Sequence, residues 1–268
     1  MKKVTAFVGT ASKKHTRYAA QKFLAVLESL GGVQGEVVVL SDYKLAACRG
    51  CKICFIKGEQ LCPLKDDRDL LFEKMMASDG VVLATPNYSF QVSGTMKTFL
   101  DRLGFVFHRP CLFGKAFTSI VVQGFYGGSK ILSYLDFVGN GLGFNTVKGS
   151  CITALDPMTE YEQQRVDGLF TALGRKFHKR LLQAPYPSPS LLKLLIFRMS
   201  RTNVRLLSEK TSPDYAYYRD KGWLESGYFY PVRLNLFQQA AGSLFDYSFA
   251  RRARRLAEPK PDQSVPRA

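Results

Sequence analysis

The sequence predicts a doubly wound α/β domain, a five-stranded parallel sheet covered by helices on both faces, followed by a mainly helical C-terminal extension. Three observations carry this. Short apolar runs and segments of helical period alternate five times between residues 4 and 182. The runs are apolar without a polar alternation, as strands buried on both faces require. A Pro-rich stretch at 184–190 then ends the alternation, and the composition changes beyond it.

The first strand is read at 4–8, ending at Gly9. Residues 16–30 carry Ala19, Ala20, Phe23, Leu24, Leu27 and Leu30 at helical spacing before the stop at Gly31-Gly32. A second strand is expected at 36–40, a helix at 70–77, and a third strand at 80–84 between Asp79 and Pro86. Residues 95–107 read as a helix, 116–123 as the fourth strand and 132–139 as part of a further helix. The fifth strand and fifth helix fall at 146–154 and 160–182. The expected organisation is a sheet domain at 1–183 with a Cys-rich loop at 48–62, a linker at 184–190, a basic, aromatic-rich helical extension at 191–257, and a disordered tail at 258–268.

A length of 268 residues suits one main domain plus such an extension, and 46% hydrophobic with 22% charged residues is globular composition. Disordered, collagen-like and disulfide-dense chains are excluded. No apolar stretch approaches the roughly 20 residues of a membrane-spanning helix, and the apolar run after Met1-Lys2-Lys3 is too short for a signal peptide. A cytoplasmic location is expected.

The net charge is +16, and residues 180–268 hold 15 basic and 7 acidic side chains, a density about twice that of the rest. In the segment 191–207, Arg198, Arg201 and Arg205 lie opposite Leu192, Leu195, Ile196 and Met199. We expect the apolar stripe to pack inward and the arginines to stay in water, in preference to a membrane surface or an acidic partner. Arg251, Arg252, Arg254 and Arg255 read as a solvated helix end rather than a nucleic-acid contact. Residues 213–249 hold 11 aromatics in 37 positions, among them Trp223. Such a density needs a packing partner, the sheet domain or a second subunit, so a homo-oligomer is expected.

Ligands of doubly wound sheets sit beyond the carboxyl ends of the strands, which directs attention to three loops. Gly9-Thr10-Ala11-Ser12-Lys13-Lys14-His15-Thr16 leads into a helix, and two readings are open for it. It is a phosphate nest, with hydroxyls of Thr10, Ser12 and Thr16 beside the helix N-terminus. Otherwise Ser12 or Thr16 caps the helix and the lysines are solvated. Neither the dinucleotide fingerprint nor the P-loop spacing is present. The loop from Thr85 through Pro86, Asn87, Tyr88, Ser89, Phe90 and Gln91 to Gly94 offers aromatic faces and backbone amides suited to a flat heterocycle. The loop Gln123-Gly124-Phe125-Tyr126-Gly127-Gly128 pairs aromatics with glycines that allow close backbone approach.

These three loops resemble those of the NAD(P)H-dependent FMN reductases of the flavodoxin-like superfamily, over residues 1–183. The resemblance implies strand order 2-1-3-4-5 and FMN, with NAD(P)H as co-substrate and a small-molecule or protein electron acceptor. It places the phosphate at Thr10, Ser12, His15 and Thr16. It sets the flavin ring against Pro86, Asn87, Tyr88, Ser89 and Phe90 and against Gln123, Gly124, Phe125, Tyr126 and Gly127. Where the family usually has Arg, this chain has Lys13 or Lys14, which keeps the charge and loses the bidentate fork. Lys97 and Asp101-Arg102 read as a helix face and an ion pair that fix the flavin loop from behind.

Cys48, Cys51, Cys54 and Cys62 are four of the six cysteines. Three thiolates at two-residue spacing with a fourth slightly farther on suit a [4Fe-4S] cluster better than zinc. With Asp66-Asp67 following, the arrangement is similar to that of the iron-sulfur flavoproteins. Plain flavin reductases also carry a Cys-x-Gly-Cys-x-x-Cys segment, so a structural loop stays open as the alternative. Cys111 and Cys151 are expected in the core. His15, His108 and His178 lack metal-site spacing, and Asp66, Asp67 and Asp69 are explained by the helix they precede. The functional expectation is a flavin oxidoreductase. The contrasting one is a non-catalytic binding module that engages membrane or acidic partners through the basic C-terminal region.

Overall fold

The computed structural model describes residues 1–12, 14–154 and 157–257, with side chains as far as Arg251. Lys13, the tail 258–268 and the side chains of Arg252, Arg254 and Arg255 lie outside the described residues, and so do the expectations made for them.

Strand β1 (Lys2–Val8) runs into α1 (His15–Ser29), and the chain returns through β2 (Val33–Val39). The single-turn α2 (Ile53–Ile56) and α3 (Arg68–Met76) precede β3 (Gly80–Tyr88), which folds back on the two-residue β4 (Gln91–Val92). Helices α4 (Gly94–Arg102) and α5 (Gly104–His108) lead to β5 (Ala116–Gln123) and α6 (Gly128–Leu142). Then come β6 (Asn145–Thr146), β7 (Ser150–Thr153) and α7 (Glu160–Leu182), and finally α8 (Leu191–Leu207), α9 (Pro213–Asp220) and α10 (Leu236–Ala257).

The sheet order is β2-β1-β3-β5-β6, with β7 also parallel to β5 and β4 antiparallel to β3. This is the expected 2-1-3-4-5 flavodoxin-like order, with the fifth strand in two pieces. Asn145 and Thr146 pair with Ala116 and Phe117, and pairing resumes at Ser150 opposite Ile120. Between them Gly149 lies so close to β5 that a Cβ there would sit 2.2 Å from the Ser119 carbonyl oxygen. The helix expected at 95–107 is broken at Leu103, where the backbone leaves helical geometry (φ −97°, ψ 13°) ahead of Gly104.

Both faces of the sheet are covered. On one, Phe23 of α1 meets Phe170 and Phe177 of α7 edge to face, with ring centroids 6.2 and 5.9 Å apart. On the other, Phe7 stacks on Phe99 of α4, and Phe117 packs on Phe144. All seven of these rings are buried. Burying such a ring stabilises the fold by about 1.5–3 kcal/mol.

Contacts divide the chain into two compact units, Met1–Cys51 with Cys62–Pro185, and Lys52–Leu61 with the chain from Tyr186 onward. The second unit packs its rings on one another. Trp223 meets Tyr217, Tyr218 and Phe229, and Phe197 of α8 meets Tyr228 and Phe229. Arg198 and Arg201 do not point into water as expected: both grip one oxygen of Asp246 on α10, at 2.5 and 2.6 Å. The face of α8 is also turned from the one expected. Leu194, Phe197 and Val204 are buried, whereas Leu192, Ile196 and Met199 are exposed. The reason is that Phe197 carries the largest apolar surface on the helix and the aromatic cluster captures it.

Among the described residues, no helix is long and apolar enough to cross a membrane. Cys111 and Cys151 are half-buried rather than core residues.

Candidate functional site

At the carboxyl ends of β1, β3 and β5, three loops converge on a cleft of about 170 Å³. Of the residues singled out in the sequence, Thr10, Ser12, His15, Thr16, Pro86, Asn87, Tyr88, Gln123 and Gly124 line it. Val122 and Ala154 complete the wall and were not anticipated, since nothing in an apolar strand end distinguishes it from core.

The first loop turns on its own hydroxyls. Thr10 is buried, and its Oγ1 accepts from Ser12 N at 3.1 Å, while Ser12 Oγ accepts from Lys14 N at 3.3 Å. Lys14 stands at the N-cap of α1 and provides no side-chain cap, and no acidic residue lies in the first turn. The capping alternative for Ser12 and Thr16 is therefore not what this loop does. The positive end of the helix faces the cleft beside the buried Thr16 hydroxyl, the arrangement that favours an anion.

The loop between β3 and α4 is fastened to the first. Ser93 caps α4, its Oγ accepting from Met96 N at 3.2 Å and donating to the carbonyl of Gly9. Gly9 has to be glycine, because a Cβ there would sit 2.7 Å from Met96 Cβ. Thr85 Oγ1 accepts from Ser93 N at 3.1 Å, closing the turn below the cleft.

The third loop is held by Gln123. Its Oε1 accepts from Gly128 N at 2.8 Å, and its Nε2 donates to Phe125 O at 3.1 Å and Thr153 Oγ1 at 3.3 Å. Asn87 links the loops, its Nδ2 donating to Tyr126 O at 2.8 Å. Its Oδ1 is buried with no hydrogen-bond partner. A buried acceptor left unmade costs about 1–3 kcal/mol.

Ser89, Phe90, Phe125, Tyr126 and Gly127 do not line the cleft; they sit beside it on the two loops. Ser89 and Phe90 form the tip of the β3–β4 hairpin with positive φ, 50° and 63°, a conformation costing a non-glycine residue about 1–2 kcal/mol. Phe90, Phe125 and Tyr126 are exposed.

The residues behind the cleft pair differently from expectation. Lys97 binds Asp101 at 2.5 Å, one turn along the surface of α4. Arg102 instead reaches Asp66, Nη1 to Oδ2 at 2.5 Å and Nη2 to Oδ1 at 3.0 Å, and also donates to Ala46 O at 3.0 Å. Asp66 accepts further from Ala46 N at 2.9 Å and Arg68 N at 3.3 Å. Burial opposes ionisation of Asp66, but Arg102 and these N–H groups outweigh it and hold its carboxyl below the ordinary value. The helix dipole alone does not explain this aspartate.

Cys48 and Cys51 are exposed, and Cys54 and Cys62 half-buried. Cys54 belongs to the second unit and the other three to the first. Among the described residues no three His, Cys, Asp or Glu side chains are gathered to hold a metal ion. The donor set suits a cluster.

The fold and cleft define a class, the flavodoxin-like proteins with a ligand cleft at the strand ends. Residues 2–155 match the family described as NADPH-dependent FMN reductase, and the chain belongs to that family. An iron-sulfur flavoprotein of Archaeoglobus fulgidus is 29% identical over 218 residues, covering 76% of this chain and 93% of that protein. One of Methanocaldococcus jannaschii is 39% identical over 71 residues, 26% of this chain and 36% of its own. Among solved structures, an NADH:FMN oxidoreductase gives a TM-score of 0.51 at 20% identity, over 71% of this chain and 99% of that one. RosB, solved with 8-demethyl-8-formylriboflavin-5'-phosphate, gives 0.53 at 15% identity, over 88% of this chain and 92% of its own. These two likenesses are of fold.

Proposed function

We propose that this chain is an NAD(P)H-dependent FMN oxidoreductase that binds FMN in the cleft between its three loops and passes electrons to a small-molecule or protein acceptor. One observation carries the reading: a single cleft joins an anion-favouring end, at Thr10, Ser12 and Thr16 on the N-terminus of α1, to walls formed by Pro86, Asn87, Tyr88, Gln123 and Gly124. A phosphate joined to a flat heterocycle is what these two ends suit together. Bound FMN supplies hydride acceptance and electron release, chemistry that belongs to the cofactor. The chain's own residues bind and orient. The hydroxyls and helix end hold phosphate, His15 stands beside it, Asn87 ties the second loop to the third, and Pro86 and Tyr88 wall the ring opposite Gln123 and Gly124. Titration of the protein with FMN tests the reading: a stoichiometric yellow complex supports it, and a protein that takes up no FMN refutes it.

The finer reading adds a [4Fe-4S] cluster on Cys48, Cys51, Cys54 and Cys62. The four thiols and the names of the relatives support it. Iron and sulfide near four each after anaerobic reconstitution, bleached by dithionite, would establish it, as about four irons and four sulfides make one such centre. Substoichiometric iron leaves a plain flavin reductase. A homo-oligomer is part of the same reading, supported by the exposed Leu236, Phe237, Leu244 and Tyr247 of α10 and tested by light scattering.

A further inference from the structure

Ser89 and Phe90 are the two residues between the paired positions Tyr88 and Gln91, and both are left-handed. Two-residue hairpins of this hand are ordinarily made by Asn-Gly or Asp-Gly, because a Cβ is disfavoured at both positions. A serine and a bulky phenylalanine are held here against local preference, which requires the surroundings to over-determine them. Burial does not account for it, since Phe90 is 53% exposed.

What meets the ring is the third loop. The Phe90 and Tyr126 ring centroids are 5.1 Å apart, and a Cβ on Gly127 would sit 2.7 Å from Phe90 Cδ1. Gly127 is the N-cap of α6, itself left-handed at φ 95°, so the backbone at the wedge has little freedom. The hairpin side of this contact is tied in by Asn87, whose Nδ2 holds Tyr126 O, and the far side by Gln123, which holds Gly128 N. Gly124, which lines the cleft, lies within the stretch that the Gln123–Gly128 tie closes.

We propose that Phe90 is a positioning residue: held by a strained turn, its ring wedges against Gly127 and Tyr126 and so sets the path of the third loop back to Gly124, against which the flavin ring lies. This rests on the flavin reading above. It predicts that removing the wedge relaxes the turn and loosens the site together, so stability and affinity move in opposite senses.

The test is Phe90→Gly, with Phe90→Trp as the conservative variant. Apoprotein Tm of Phe90→Gly should equal or exceed that of the wild type. Its Kd for FMN should rise at least tenfold, about 1.4 kcal/mol. Riboflavin affinity should fall by the same factor, because the lesion lies at the ring end and not at the phosphate. Phe90→Trp should recover most of the affinity. A lower Tm would mark Phe90 as a packing residue and overturn the proposal, as would unchanged affinity for both flavins or a Phe90→Trp protein no better than Phe90→Gly. A wild-type protein that binds neither flavin refutes the flavin reading itself. Wild-type binding with an indifferent Phe90→Gly refutes the positioning role alone.

Discussion

Replacing Arg102 by Ala should destabilise the sheet domain more than any surface substitution. The Arg102 side chain is 2% exposed and that of Asp66 8%, so the guanidinium is the counter-charge of a carboxylate shielded from water. Truncation leaves that carboxylate buried and charged, for which the cost is about 3–5 kcal/mol. The N–H groups of Ala46 and Arg68 stay on Asp66 and place the value near the lower end, about 3 kcal/mol. Urea denaturation at neutral pH reads this directly; with a slope of about 2 kcal/mol/M the midpoint drops by about 1.5 M. Arg102→Met combined with Asp66→Asn buries no charge and should recover most of the loss. A single-variant cost below about 1 kcal/mol, or a double variant no better than the single, would refute the clamp. The pH dependence has a definite sign. The Asp66 carboxyl is held low in the folded state, so its contribution is complete above its ordinary value of 3.8 and is lost as pH falls below that through the folded value. Wild-type and Asp66→Asn stabilities should therefore converge in acid. The clamp also matters for the cleft, because α4 carries Arg102 at one end and at the other Ser93, which holds Gly9.

Thr10, Ser12 and Thr16 replaced together by Ala should weaken FMN binding by orders of magnitude, each lost charge-assisted bond being worth about 1.5–3 kcal/mol; riboflavin affinity, measured alongside, should change little. Gly128→Ala would drive a Cβ to 2.3 Å from Cys151 Sγ and 2.8 Å from Gln123 Oε1, so it should cost about 1–3 kcal/mol in urea denaturation, with partial recovery on adding Cys151→Ala. Asp246→Ala strips one shared counter-ion from Arg198 and Arg201; as all three keep some exposure, the loss should be on the order of 2 kcal/mol, read as the extension's own unfolding transition.

Much of this was legible in the chain. The apolar runs that became β1, β2, β3 and β5 need no knowledge of their neighbours, because burial on both faces writes itself into consecutive residues. Strand ends and the glycines after them then mark where a ligand cleft must open, which is why nine of its eleven wall residues were named from the sequence. Helical period and the Pro-rich stretch after residue 183 likewise depend on residues close together in the chain.

The rest depended on which surfaces meet. Arg102 was read with its neighbour Asp101, yet its partner lies 36 positions away, and no spacing rule reports a contact across that separation. The buried face of α8 was misjudged because both faces are apolar enough, and the aromatic cluster, assembled from three separate stretches, selected Phe197. The spacing of the four cysteines bounds what their loop can reach, whereas packing alone fixes where that loop goes. The left-handed Ser89–Phe90 turn runs against its own local preference. A sequence records such preferences residue by residue, whereas the conformation that overrides them exists only once the Gly127 loop is folded against it.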